Sequence, residues 1–131
     1  MRNAAREAAL NIVFAQQFNT DCLDALKKKV FKQFQLEKDE DLLFASDLIA
    51  TVEEHREELI AGIEEACHHY KENRINPTDK SILLIAMAEI RYFDEIPNVV
   101  SVSEATGLAK KYSTEKSADF VNGVLSGVIN K

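Results

Sequence analysis

Apolar residues recur along this chain with the spacing of an α-helix almost from end to end. Positions three and four apart lie on one face of a helix, so a stripe at that spacing must be buried against another element. Residues 82–88 are the extreme case, because Ile82-Leu83-Leu84-Ile85-Ala86-Met87-Ala88 is apolar on nearly every side. Such a helix is stable only when other helices surround it. The pattern therefore predicts an all-α chain packed around one central helix.

Signals that start and stop helices divide the pattern into about seven segments. The second segment spans about 22–34, and a charged loop at 37–41 precedes a long apolar ridge that breaks near His55. No strand-like alternation, internal repeat or domain boundary is found. We therefore expect one domain over 1–131, a compact bundle of helices.

Two helix starts carry strong signals. Asn76 is a good N-cap, and Pro77 fits the first turn because its missing N–H would be unpaired there anyway. Asp79 then stands at the third helical position. Further along, Ser101-Val102-Ser103-Glu104 matches the capping box, so the sixth helix is predicted to begin there. A turn at 113–116 precedes the last helix.

Charge is distributed unevenly along the chain. The net charge of −6 argues, by itself, against nucleic acid as a partner. Residues 1–36 nevertheless hold six basic and three acidic side chains, residues 37–95 hold six and 16, and residues 96–131 hold four and three. Both ends are mildly basic and the middle is acidic. Either these are ordinary solvated helix faces, or the two ends form a surface for an anionic partner.

Several function classes find no support in the residues. No apolar run approaches the roughly 18 residues that span a bilayer, and the first residues do not form a signal peptide. The cytoplasm is therefore expected, with Cys22 and Cys67 as reduced thiols. Cys67-His68-His69 suggests a metal, but adjacent helical residues point about 100° apart and cannot converge on one ion. Without a phosphate loop or a nucleophile–base pair, we expect no enzyme activity and no cofactor.

The last helix carries an aromatic ring beside two glycines. Phe120 lies at the edge of the apolar arc, and Gly123 and Gly127 lie on its other side. A neighbouring helix could approach over the glycines and pack against the ring. Alternatively, the ring could be presented for stacking on an unpaired RNA base. The residues leave both interpretations open.

Four motifs follow one another in an order that is typical of a known family. The most specific is Asp119-Phe120-Val121-Asn122-Gly123-Val124-Leu125 near the C-terminus. Upstream are Glu104-Ala105 with Leu108-Ala109-Lys110-Lys111-Tyr112, then Asn76-Pro77-Thr78-Asp79-Lys80-Ser81-Ile82-Leu83, and the start Ala5-Arg6-Glu7. Together they resemble the NusB family of transcription antitermination factors. The match is tight over 76–128 and loose over 20–75.

The resemblance implies an all-α fold of two packed helical subdomains and a function in transcription. Members of the family bind the boxA element of ribosomal RNA leader transcripts together with the small-subunit ribosomal protein that doubles as NusE. This assembly lets RNA polymerase read through terminators. The expected partners are therefore boxA RNA, the ribosomal protein and the RNA polymerase antitermination complex, with no membrane. The resemblance leaves a homodimer open.

The resemblance also implies RNA contacts at positions that match the family's pattern. These are the arginines Arg2 and Arg6, the first-helix aromatic Phe14, the carboxylate Asp79 and the last-helix aromatic Phe120. Arginines would neutralise phosphates and the rings would stack on bases, while the carboxylate would accept from a base or cap its helix.

This chain departs from the family in its charges. Asn3-Ala4-Ala5 replaces part of the usual arginine run, whereas Lys116 stands where relatives often carry an acid and could add a phosphate contact.

Two functional hypotheses follow from these observations. The first is an RNA-binding antitermination factor, and the second is a helical protein–protein module with weak or no RNA binding. Convergence around Phe120 of the basic residues from the two chain ends would favour the first; they are Arg2, Arg6, Lys110, Lys111 and Lys116. The acidic stretch 37–65 is either a surface for a basic ribosomal protein or a solvated face.

Overall fold

The computed structural model describes residues 3–18, 23–67 and 75–129, and these residues form helices without a strand. The helices, in chain order, are α1 (Asn3–Gln16), α2 (Leu23–Gln33), α3 (Asp39–Glu54), α4 (Arg56–Ala66), α5 (Pro77–Tyr92), α6 (Asn98–Tyr112) and α7 (Glu115–Ile129). The all-α prediction is confirmed. None of the described helices is long and apolar enough to cross a membrane.

Helix α5 is the centre of the fold. It contacts α1, α3, α4, α6 and α7. All nine consecutive residues over 81–89 are buried, and Leu83, Leu84 and Met87 are completely inaccessible to solvent. A segment that is apolar on every side can satisfy all its faces only in this position. The central-helix prediction is therefore confirmed.

Two predicted boundaries are confirmed in detail. The Asn76 Oδ1 atom accepts a hydrogen bond of 2.8 Å from the backbone N–H of Asp79, and Pro77 occupies the first helical position. This bond satisfies one of the N–H groups that have no partner within the helix. The break near His55 also occurs, because α3 ends at Glu54 and α4 begins at Arg56.

The predicted start of the sixth helix at Ser101 is wrong. Helix α6 begins three residues earlier, and the carbonyl of Pro97 accepts from the backbone N–H groups of Val100 and Ser101. Proline has a fixed φ that suits the entry to a helix, so the helix follows directly after it. Ser101 is buried inside α6, and its hydroxyl donates to Glu89 Oε1 over 3.2 Å.

That hydrogen bond belongs to a buried polar group that joins three helices. The Arg6 guanidinium of α1 pairs with the Glu89 carboxylate of α5, with Nη2–Oε1 at 2.8 Å and Nε–Oε2 at 3.0 Å. The two residues are only 5% and 2% exposed. The guanidinium also lies 5.2 Å from the centre of the Phe44 ring of α3. Each charge is thus matched inside the core, as a buried ion pair requires.

Candidate nucleic-acid interface

A cavity of about 250 Å³ opens where the first turn of α5 meets the start of α7. Three of the predicted site residues, Asp79, Lys116 and Phe120, line it together. The remaining lining comes from Ile75, Asn76, Thr114 and Ser117. We call this the main cavity. Positions about 40 residues apart in the chain are thereby brought to one place on the surface.

Asp79 contributes a carboxylate with one engaged and one unpaired oxygen. Its Oδ2 accepts from the side-chain amide of Asn76 and from the Ser117 hydroxyl, both at 3.0 Å. Its Oδ1 is buried and has no hydrogen-bond partner among the described residues. An unpaired buried acceptor typically costs about 1–3 kcal/mol. Asp79 thus retains one acceptor that no described residue uses.

The turn between α6 and α7 holds Ser117 in place. The hydroxyl of Ser113 lies 2.8 Å from that of Ser117, and Thr114 Oγ1 accepts from the Ser117 backbone N–H over 2.9 Å. Ser117 then donates to Asp79. This chain of hydrogen bonds fixes the start of α7 against the start of α5, and so fixes the width of the main cavity.

Phe120 forms an apolar wall of the main cavity. Its ring is half-buried and packs against the core, while Lys116, one helical turn earlier, is exposed. Gly123 and Gly127 are exposed, and a Cβ atom added to either would meet nothing within 4 Å. No described helix therefore passes over the glycines, which removes that form of the packing alternative. The surface beside the ring is open to a ligand.

A second cavity, of about 220 Å³, lies on the other side of the first turn of α5. It is lined by Leu10, Asn11, Phe14, Thr78 and Tyr112, and we call it the α1 cavity. Phe14 is 38% exposed and meets Phe18 edge to face, with ring centres 5.3 Å apart.

Helix α1 is tied to the first turn of α5. The side-chain amide of Gln17 donates to the carbonyl of Pro77 over 2.9 Å. Because Thr78 and Asp79 are adjacent, the two cavities flank one helix start. The predicted residues Phe14, Asp79, Lys116 and Phe120 therefore lie around it.

Tyr112 is a cavity residue that the sequence analysis did not select. Its hydroxyl donates to Glu7 Oε1 over 2.6 Å, and the Lys111 ammonium lies 2.5 Å from the same oxygen. Burial and the hydrogen bond to Glu7 raise the pKa of Tyr112 to about 12. Burial by itself would raise the pKa of Glu7, but the bonds from Lys111 and Tyr112 outweigh it and lower that pKa. The sequence analysis named Tyr112 only as the last residue of the motif Leu108-Ala109-Lys110-Lys111-Tyr112, which carries no signal for its hydroxyl.

The basic residues of the two chain ends do not all converge on Phe120. Arg6 was predicted to contact phosphate, and this prediction needs correction because its guanidinium is buried and paired with Glu89. Lys111 is paired with Glu7, and Lys110 is exposed but lines neither cavity. Arg2 lies outside the described residues. Of this predicted set, Lys116 alone lines the main cavity.

The described ranges contain no group of three His, Cys, Asp or Glu side chains that could hold a metal ion. Cys67 is buried, and this burial raises the pKa of its thiol, as expected for an unreactive core residue. His68 and His69 of the candidate metal motif, and Cys22, lie outside the described residues.

Comparison of the sequence with known proteins points to one family. The NusB family model matches residues 3–130. A transcription antitermination protein NusB from Natranaerobius thermophilus is 34% identical over 132 residues, covering 99% of this chain and 95% of the relative. Another transcription antitermination protein NusB, from Clostridium botulinum strain Hall, is 35% identical over 142 residues. This match covers 98% of this chain and 99% of the relative.

Solved structures of NusB proteins have the same fold as this chain. A crystal structure of the antitermination factors NusB and NusE in complex with double-stranded RNA superposes with a TM-score of 0.89 at 25% identity, covering 98% of this chain and 96% of that one. T. maritima NusB gives a TM-score of 0.90 at 25% identity, and the match covers 100% of this chain and 92% of that one. The helical arrangement described above is thus the arrangement of NusB proteins.

Proposed function

The chain belongs to the NusB family, and we propose that it is a transcription antitermination factor that binds boxA RNA of ribosomal RNA leader transcripts together with the ribosomal protein that acts as NusE. The complex would act on RNA polymerase, in the cytoplasm, as part of an antitermination assembly. The observation that carries the proposal is the main cavity, which combines an aromatic ring, a cation and an unpaired carboxylate oxygen.

Each of the three groups has a distinct role in this proposal. The ring of Phe120 stacks on an unpaired base, which supplies affinity without strong sequence preference. The Lys116 ammonium neutralises a neighbouring phosphate and fixes the register of the strand. Asp79 accepts a hydrogen bond from the base, so it favours bases with an exocyclic amino group, such as adenine or cytosine, over uracil. Only the last contact reads sequence.

The α1 cavity provides the second contact of the proposal. Phe14 offers a ring for another base, at a position set by the packing of α1 on α5. Arg2 lies outside the described residues, and its phosphate contact stays a prediction. Arg6 is left out because the Glu89 carboxylate already engages it.

The protein partner is proposed to meet the acidic middle of the chain. Exposed acids are dense over 37–65, on α3, α4 and the connection before α3. A small-subunit ribosomal protein binds ribosomal RNA and is basic, so this surface offers complementary charge and faster association. The alternative function is a protein–protein module with weak or no RNA binding. Such a module would keep this contact with the ribosomal protein and lose the RNA contacts at the two cavities.

A titration with boxA RNA tests the proposal, with and without the ribosomal protein, across a salt series. We expect the RNA affinity to fall as salt rises, with a log–log slope of about −0.7 for each single-strand phosphate neutralised. The ribosomal protein should raise the RNA affinity. Binding of the ribosomal protein without any RNA binding would favour the alternative function. Sedimentation of the chain alone would test the homodimer.

A further inference from the structure

Helix α2 differs in charge from the rest of the described chain. It carries Lys27, Lys28, Lys29 and Lys32 within 11 residues, with Asp24 as its only acid. The whole chain has a net charge of −6, so this local excess of cations is not a property of the average surface. None of the four ammonium groups lies within 4.0 Å of a carboxylate of the described residues.

The lysines face away from the core. Val30 is the one buried residue of α2, and Leu23, Leu26 and Phe31 are partly buried against the core. Lys28, Lys29 and Lys32 are exposed and span an arc of about 100° on the opposite side, as the helical repeat requires. The lysines contribute little to packing, and their charges are directed to solvent.

A cavity of about 590 Å³ runs beside two of these lysines. It lies between α2 and the connection to α3, and its lining is Lys28, Phe31, Lys32, Gln35, Leu36, Glu37 and Leu42. Gln35 adopts a φ of 56°, a left-handed conformation that turns the chain back after the helix. The turn brings Glu37 to the cavity as its one acid, against two lysines.

Helix α2, which carries the lysines, packs against α1, which carries Phe14. Phe18, beside Phe14, ends the first described range and is 67% exposed. Five residue steps separate it from Leu23, the start of α2, so the two lie at most about 18 Å apart. Lys28 follows about 8 Å further along the helix axis. These distances place the lysines within reach of an RNA strand that extends beyond the α1 cavity.

We propose that Lys28, Lys29 and Lys32 form a second anion-binding surface, which holds phosphates of the RNA that flanks the segment bound at the two cavities. The inference rests on the proposed function. Phosphate contacts add affinity and salt dependence without reading sequence. They also supply cations outside the N-terminal segment, where Asn3-Ala4-Ala5 interrupts the arginine run and Arg6 is buried.

Two RNAs and two double variants test this surface. One RNA is boxA alone, and the other carries about six additional nucleotides at each end. The test variant is Lys28→Gln with Lys32→Gln. The control variant is Lys38→Gln with Lys110→Gln, which removes the same charge from two exposed residues that line none of the three cavities. On the longer RNA, the test variant should flatten the log–log salt slope by about 1.4, the value for two single-strand phosphates. On boxA alone, its slope should equal that of the control.

The outcomes separate this proposal from the one it rests on. If the unmodified chain binds neither RNA, or if Phe120→Ala leaves binding unchanged, the proposed function fails. If the chain binds and Phe120→Ala weakens it, but the test variant matches the control on the longer RNA, only the α2 surface is overturned. A loss confined to binding of the ribosomal protein would also overturn it. Circular dichroism melts confirm that both variants fold.

Discussion

At the scale of single residues, Asp79 shows how a site can be concealed in a helix start. Its backbone N–H is capped by Asn76 and its Oδ2 is engaged by Ser117, so most of the residue serves the fold. Only Oδ1 has no described partner. The sequence offered capping and base recognition as alternatives, and the structure shows Asn76 as the cap, which leaves one oxygen of Asp79 available.

The first prediction concerns the charge on that oxygen. Asp79→Asn can keep an oxygen toward Asn76 and Ser117, which places the NH₂ group at the position of Oδ1. A donor would then face the base where an acceptor stood. We expect discrimination in favour of an amino-bearing base to fall by about 1–3 kcal/mol. Affinities for boxA and for uracil-substituted RNAs measure it; an unchanged preference would exclude Asp79 from base reading.

A second residue-scale prediction follows from the raised pKa of Tyr112. The neutral phenol is favoured in the folded protein, so its contribution to stability is complete below pH 10 and is lost as pH rises from 10 towards 12. The absorbance of the phenolate should show one tyrosine titrating near pH 12. Tyr112→Phe should remove that transition, and Glu7→Gln should move it to lower pH.

At the scale of elements, α5 was predictable because its sequence permits one environment only. Leu84 is completely buried and other helices surround α5. Leu84→Ala should therefore cost about 2–5 kcal/mol of unfolding free energy, from lost transfer energy and the cavity left behind. Urea unfolding measures the loss. A change under about 1 kcal/mol would contradict the packing described for α5.

The contact between α1 and α5 gives the fourth prediction. Arg6→Ala should cost about 3–5 kcal/mol of stability, because it leaves the Glu89 carboxylate buried without its partner. The salt slope of RNA binding by the folded protein should stay unchanged. A stable variant with a slope flatter by about 0.7 would instead place Arg6 at a phosphate. Arg6→Met combined with Glu89→Leu should recover much of the stability.

The errors at this scale have physical causes. The motif Ser101-Val102-Ser103-Glu104 has the composition of a capping box, but Pro97 already supplies a helix entry. The Ser101 side chain therefore does not cap a helix but donates a hydrogen bond to Glu89, which lies on α5. Likewise, Arg6 reads as an exposed cation because its partner is 83 positions away. Local pattern cannot reveal a pairing between distant residues.

At the scale of the whole molecule, helical spacing singled out Phe120, but the family resemblance was needed to group it with Asp79 as an RNA contact. Asp79 belongs to the start of α5, whereas Lys116 and Phe120 belong to α7. Only the packing of α7 against α5 brings them together. The cavity itself and the Ser117 bond arise from that packing, and the role of Tyr112 arises from its contact with Glu7 of α1. None of these could be seen in the linear sequence.

Charge must also be judged on the folded molecule. The mild excess of basic residues at the chain ends left open a single surface for an anionic partner, but Arg6 and Lys111 are paired with carboxylates. Lys116 is exposed at the main cavity and three lysines are exposed along α2, whereas the exposed Lys38 and Lys110 line none of the cavities described above. In the proposed function, RNA binding depends on a few positioned groups within an acidic protein, and the ring in the main cavity is the central one.

Phe120→Ala tests that claim most directly when RNA affinity and stability are measured on the same protein. We expect a loss of about 1–3 kcal/mol in boxA binding, the usual effect of removing one stacked base. The stability loss should stay below the roughly 3–5 kcal/mol of a fully buried phenylalanine. Ile129→Ala, on a half-buried residue of the same helix that does not line the main cavity, should leave RNA affinity unchanged. Lost stability with full RNA affinity in the folded Phe120→Ala protein would contradict the account.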